Sequence, residues 1–178
     1  FEMTPRLVER ERVIAHGTYE CALFAKKFGV ALNIAGGTHH AFADHGEGFC
    51  VFNDVAVASN LLLARGQATQ ILTVDLDVHQ GNGTAHLMAN EPRVFTFSMH
   101  GAKNYPFRKQ ASDLDIDLPN ETGDEAYLAI LMETLPRLIA KVKPDMLFYQ
   151  SAVDVLATDK LGKLALTRDG CAKRDAVS

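Results

Sequence analysis

The chain has 178 residues, 47% of them hydrophobic and 22% charged, with a net charge of -4 at pH 7; this suffices for one domain with a real core and argues against a protein that lives on nucleic acid. No apolar run approaches the roughly 18 residues of a membrane-spanning helix, and the opening Phe1-Glu2-Met3-Thr4-Pro5-Arg6 lacks the order of a signal peptide, so the cytoplasm is the expected compartment. Cys21, Cys50 and Cys171, far apart and odd in number, match neither a disulfide framework nor a Cys-rich zinc site, which leaves His and carboxylates to hold any metal.

Thr4-Pro5 reads as the cap and first position of a helix carrying Leu7, Val8, Ile14, Cys21, Leu23, Phe24 and Phe28 up to Gly29. His16 within it has no second ligand spaced to meet it and reads as structural or surface. Residues 30–35 are predicted to form a short buried strand, with Gly36-Gly37-Thr38-His39-His40 at its carboxyl end, where open α/β sheets place their chemistry. The two glycines permit the sharp turn through which adjacent histidines can converge. In the polar loop that follows, His45 and Glu47 read as solvated. Asn53-Asp54 reads as the cap of a helix carrying Val55, Val57, Leu61, Leu62 and Leu63 up to Gly66.

The next stretch, Val74-Asp75-Leu76-Asp77-Val78-His79-Gln80-Gly81-Asn82-Gly83, sets two acids and an imidazole at alternate positions of a β-branched run. On a strand, Asp75, Asp77 and His79 share one face while Val74, Leu76 and Val78 pack on the other. Two buried acids at a strand tip repel each other and lose hydration unless a cation lies between them, and a bound metal meets that need. The alternative is an edge strand whose acids face water.

Further on, the pattern predicts a short helix at 84–90 with His86 on its surface, strands at 94–100 and 113–118, and a helix from Thr122. Leu128, Leu131, Leu135, Leu138, Ile139 and Val142 give that helix its apolar side, and Pro136 should bend it. Residues 146–150 read as a buried parallel strand leading to Asp154, and Thr167 caps a last helix. Helices and strands that alternate with short connections predict an α/β fold around a mainly parallel sheet.

Together, Gly36-Gly37-Thr38-His39-His40, Gly48-Phe49-Cys50, Asn53-Asp54 and the 75–83 stretch resemble the zinc-dependent histone deacetylase family over nearly the whole chain. Gln80-Gly81-Asn82, where many members have His-Gly-Asp, looks most like the class IV branch and its bacterial relatives, while Ala152 stands where many members have Gly. The resemblance implies a three-layer sandwich of the arginase/deacetylase type. It also implies a single deacetylase-type domain over 1–178, incomplete at both termini, because the family's first strands and its transition-state tyrosine in a Gly-Gly-Tyr segment have no counterpart.

By the same resemblance, Asp77, His79 and Asp154 hold one catalytic Zn2+, or Fe2+ in its place, with a coordination position left open. His40 is the main general base and acid and Asn82 its partner, whereas His39, oriented by Asp75, acts as an imidazolium. Phe49 and Tyr105 flank a channel for the methylene stem of an acyl-lysine, with the Gly48 carbonyl accepting the substrate amide proton. Acetylated polyamines would fit the same channel, and a class IV specificity would extend the substrates to long-chain acyl groups. A structural K+ is implied near Asp75 and Ser98, and neither direct nucleic-acid binding nor membrane binding is expected. Two other readings are a non-catalytic binding or scaffold domain of the same fold and an arginase-type ureohydrolase. The latter needs two manganese ions and more bridging aspartates and histidines than the chain carries.

Overall fold

The computed structural model describes residues 2–177. In chain order it contains α1 (Pro5–Phe28), α2 (Asp54–Ala64), β1 (Ile71–Asp75), α3 (Asn82–Met88), β2 (Val94–Gly101), β3 (Leu114–Leu118), α4 (Asp124–Val142), β4 (Met146–Gln150) and α5 (Arg168–Val177). The strands form one parallel sheet in the order β3-β2-β1-β4, so β1 is an interior strand.

Local chemistry sets the helix ends. Thr4 accepts from the Leu7 N–H at 3.2 Å ahead of Pro5, Asn53 from Ala56 at 2.9 Å, and Thr167 from Gly170 at 3.0 Å. Gly29 ends α1 with a φ of 92°, a conformation that costs a residue without Cβ little.

Period-two alternation divides the core between the two faces of the sheet. Leu72, Val74, Phe97 and Met99 pack against Leu131, Leu135 and Leu138 of α4 and Cys171 of α5. Ile71, Val94 and Met146 face Tyr19 and Ala22 of α1, Ala56 and Leu62 of α2, and Met88 of α3. The result is three layers, each fully buried aliphatic side chain contributing about 1.5–3 kcal/mol of transfer free energy.

Four expectations change. Residues 30–35 form no strand: Leu32 is 81% and Ile34 100% exposed, because an apolar run becomes a strand only beside a partner, and none among the described residues pairs with it. β4 is the edge of the described sheet and is half-buried beyond Met146. β1 stops at Asp75, short of Asp77 and His79. The helix expected from Thr122 starts at Asp124, with Pro136 inside it. Among the described residues, no helix is long and apolar enough to cross a membrane.

Adjacent positions on α4 give a test of this packing. Leu131 has no exposed surface, whereas Met132 is 58% exposed. In the full-length protein we expect Leu131→Ala to lower the free energy of unfolding by about 2–5 kcal/mol and Met132→Ala to change it by no more than about 0.5 kcal/mol, both read from urea unfolding.

Candidate metal centre

Past the end of β1 the ladder thins to single backbone bonds, Leu76 N–H to Gln150 and Gly101 N–H to Val78, and side-chain hydrogen bonds join them. Asp75 Oδ1 accepts from the Asp77 N–H at 3.1 Å, and Asp77 Oδ1 from the His79 N–H at 2.7 Å. Each acid captures the amide two residues ahead, the local habit of aspartate in turns. Asp77 and His79 therefore reach the site through two successive bends, not through the shared strand face that alternation predicts.

Asp154, in the loop after β4, closes the cluster. Its Oδ1 accepts from the Val78 N–H at 3.1 Å, and its Oδ2 lies 3.1 Å from His79 Nδ1, which is also 3.0 Å from Asp77 Oδ1. One donor atom from each of Asp77, His79 and Asp154 lies within 4.8 Å of the others, so the three could hold a metal ion. Burial disfavours a charged His79 ring, but Asp154 and Asp77 overcome it and raise the pKa to about 9. Burial and the neighbouring Asp77 charge push the Asp154 carboxyl up, while His39 and His79 hold Asp77 well below the usual carboxylate range against its own burial. Two carboxylates and a ring nitrogen converging on one point is an arrangement whose mutual repulsion a bound cation would relieve.

The histidine pair sits on a loop anchored to α2. Asp54, 1% exposed, accepts from the N–H groups of Gly37 (3.1 Å) and Thr38 (2.8 Å) and from the hydroxyls of Thr38 (2.8 Å) and Thr18 (2.6 Å). His39 Nδ1 meets Asp75 Oδ2 and His40 Nδ1 meets Asn82 Oδ1, each at 2.6 Å, with the two rings 4.0 Å apart. Burial opposes a charge on His39, yet Asp75 and Asp77 lift its pKa to about 9; burial and the His39 charge together lower His40 to about 4. At neutral pH the pair is one imidazolium beside one neutral imidazole.

Glu47 and Cys50 exchange both backbone hydrogen bonds, at 3.1 and 2.8 Å, around a two-residue turn with φ of 54° at Gly48 and 66° at Phe49. Positive φ is uncommon for a residue such as Phe49 and is a recurrent feature of functional sites. A Cβ on Gly48 would lie 2.4 Å from His40 Cδ2, so only glycine lets the turn rest on that ring. Phe49 projects from its tip, 83% exposed. In the same cleft, Tyr105 stands edge-on to His40 with ring centroids 5.1 Å apart, in a loop braced by Lys109, whose Nζ donates to the carbonyls of Asn104 and Pro106. These walls and the metal donors share an open cleft of about 1190 Å³. Ser98 pairs with Asp75 in the β1–β2 register and exchanges a hydrogen bond with His100 Nδ1 at 2.9 Å.

Two residues carry more than the sequence suggests. Asp54, expected only to help cap α2, holds the histidine loop. Glu47, expected to be solvated, accepts from the Tyr105 hydroxyl and from Asn82 Nδ2 at 2.9 Å. Burial raises its carboxyl pKa, but these hydrogen bonds prevail and keep it below the usual range. Neither role has a local signal, since the donors come from distant parts of the chain.

The chain matches the histone deacetylase domain over residues 2–177. It is 49% identical over 171 residues to an uncharacterised protein of Picosynechococcus, covering 96% of this chain and 57% of that one. It is 33% identical over 162 residues to Histone deacetylase 2 of Arabidopsis thaliana, covering 89% and 42%. Among solved structures it is similar to an HDAC homolog from Aquifex aeolicus (TM-score 0.84, 27% identity, 95% of this chain and 49% of that one). It is likewise similar to an HDAC homolog complexed with SAHA (TM-score 0.83, 27% identity, 94% and 48%). The chain thus spans about half the length of the proteins it matches. With a parallel sheet between two helical layers in the arginase/deacetylase arrangement, it belongs to the histone deacetylase family.

Proposed function

We propose that the protein is a metal-dependent amide hydrolase that removes acetyl or longer acyl groups from acylated lysine or a similar amine. The observation that carries this reading is the His40 ring, held through Nδ1 by the Asn82 amide, beside three convergent metal donors on one open cleft. A divalent ion, Zn2+ by preference, held by Asp77, His79 and Asp154 would polarise the scissile carbonyl and acidify water. Among the described residues one such donor group is found, which suits a single ion and not the bridged pair of a ureohydrolase.

The side chains divide the remaining work. His40 takes a proton from water at its free nitrogen and returns it to the departing amine. Asn82 holds the ring without supplying the negative charge that would keep it protonated. His39, paired with Asp75, stays cationic and both opposes protonation of His40 and favours negative charge developing nearby. Phe49 and Tyr105 flank the methylene stem, and the Gly48 carbonyl accepts the amide N–H. The Tyr105 hydroxyl donates to Glu47, so its proton is committed away from the reacting carbonyl.

Elemental analysis of full-length protein purified without chelator should find one divalent ion per chain, lost in an Asp77→Ala, Asp154→Ala double variant; undiminished metal in that variant would remove the site from the mechanism. His40→Ala should retain the metal and lower kcat on an acetyl-lysine peptide by about 10²–10⁴-fold, with a smaller loss for His39→Ala. The pH dependence has a definite sign. With its pKa near 4, His40 is already a free base at pH 6, so no acid limb is expected near 6.5. Asn82→Asp places an anion against the ring, favours imidazolium and should move the acid limb of kcat/KM to higher pH; an unmoved limb would mean that another group serves as base.

A further inference from the structure

Glu47 touches no reacting atom in the scheme above, yet it stands directly behind the pair that does. We infer that Glu47 is a positioning residue for His40: by accepting from the Asn82 amide it fixes which end of that amide meets the ring, and so which His40 nitrogen is left to take a proton. The inference rests on the proposed hydrolase reading for its link to rate, but not for the orientation itself.

The logic is one of donors and acceptors. A carboxylate only accepts, an amide has one end of each kind, and a neutral imidazole has one nitrogen of each kind. Glu47 Oε1 lies 2.9 Å from Asn82 Nδ2, and Asn82 Oδ1 lies 2.6 Å from His40 Nδ1. Turning the amide over would set its oxygen against the carboxylate with no proton between them and its NH2 against the ring nitrogen. With the amide held, Nδ1 must carry the hydrogen and Nε2 keeps its lone pair. An aspartate at position 82 would impose that tautomer alone, because both of its oxygens accept. With asparagine there, the information comes from one residue further out.

The placement of Glu47 supports the assignment. Its backbone is fixed by both hydrogen bonds to Cys50, and the next residue, Gly48, rests on the His40 ring. Asn82 is 2% exposed, so the direction of its amide is set by protein partners and not by bulk water. The Tyr105 hydroxyl donates to the same Oε1, adding a second bond that holds the carboxylate in place.

The test reads the tautomer directly, by ¹⁵N NMR of histidine-labelled, metal-loaded full-length protein at pH 8. Wild type and Tyr105→Phe should show His40 protonated at Nδ1 with Nε2 bare. In Glu47→Ala the Nε2–H form should appear, and Glu47→Gln, which keeps the side-chain shape and a carbonyl acceptor, should lie between. On an acetyl-lysine peptide, Glu47→Ala should lower kcat about tenfold with KM changed less than about twofold, the low end of what an outer hydrogen-bond partner costs. The deciding variant is Glu47→Ala, Asn82→Asp, read at a pH above the acid limb that an aspartate at 82 raises: there an acceptor-only residue should restore the Nδ1–H form and recover most of the lost kcat, whereas a Glu47 that merely braced its turn would not be rescued from position 82. A His40 that stays Nδ1–H in Glu47→Ala, or a double variant with no recovery of the tautomer, would overturn the inference. A wild-type protein that turned over no acyl-lysine would defeat the hydrolase reading while the tautomer still decided the role of Glu47.

Discussion

The structure is organised around a charge problem at the end of its interior strand. Asp75, Asp77 and Asp154 gather where β1 stops, and like charges brought together under partial burial are costly unless cations or N–H groups meet them. Every neighbouring feature answers that requirement. Backbone amides of Asp77, Val78 and His79 point at the carboxylates, His39 contributes a positive ring, and His79 stands between the remaining two acids.

Asp75 joins the fold to the chemistry. One of its oxygens takes the Asp77 N–H and so ends the strand, while the other holds His39. The same side chain therefore decides where the ladder stops and which histidine carries charge. That charge lowers the affinity of His40 for a proton, so the division of the pair into cation and base follows from how their partners differ: a carboxylate for one, an amide for the other.

Around this centre, short-range packing leaves little freedom. Gly48 has space only for hydrogen toward His40, and a Cβ on Gly83 would come within 2.3 Å of the Ala41 carbonyl, so the two glycines let the 47–50 turn and the start of α3 close on the histidine loop. Glu47 then links both walls of the cleft to the Asn82–His40 pair. A cluster whose members fix one another's donor and acceptor directions is preorganised, which is the condition under which hydrogen bonds and fixed charges affect a rate most.

The sequence by itself determined what depends on neighbours a few residues away. Caps at Thr4, Asn53 and Thr167, the apolar stripe of α4 and the burial of Val74, Leu76 and Val78 all rest on contacts or periodicities within a turn or a strand. The gathering of acids and imidazole in the 75–83 stretch was legible from their closeness in the chain, although bends after Asp75, and not strand alternation, bring Asp77 and His79 together. Tertiary structure decided what depends on distant partners. Residues 30–35 have strand-like composition, but pairing, not composition, makes a strand. Asp54 meets donors 16, 17 and 36 positions away, and Glu47 meets donors 35 and 58 positions away. An acid that seems free along the chain becomes an anchor only when folding delivers the groups that satisfy it, and no local pattern encodes where those groups will come from.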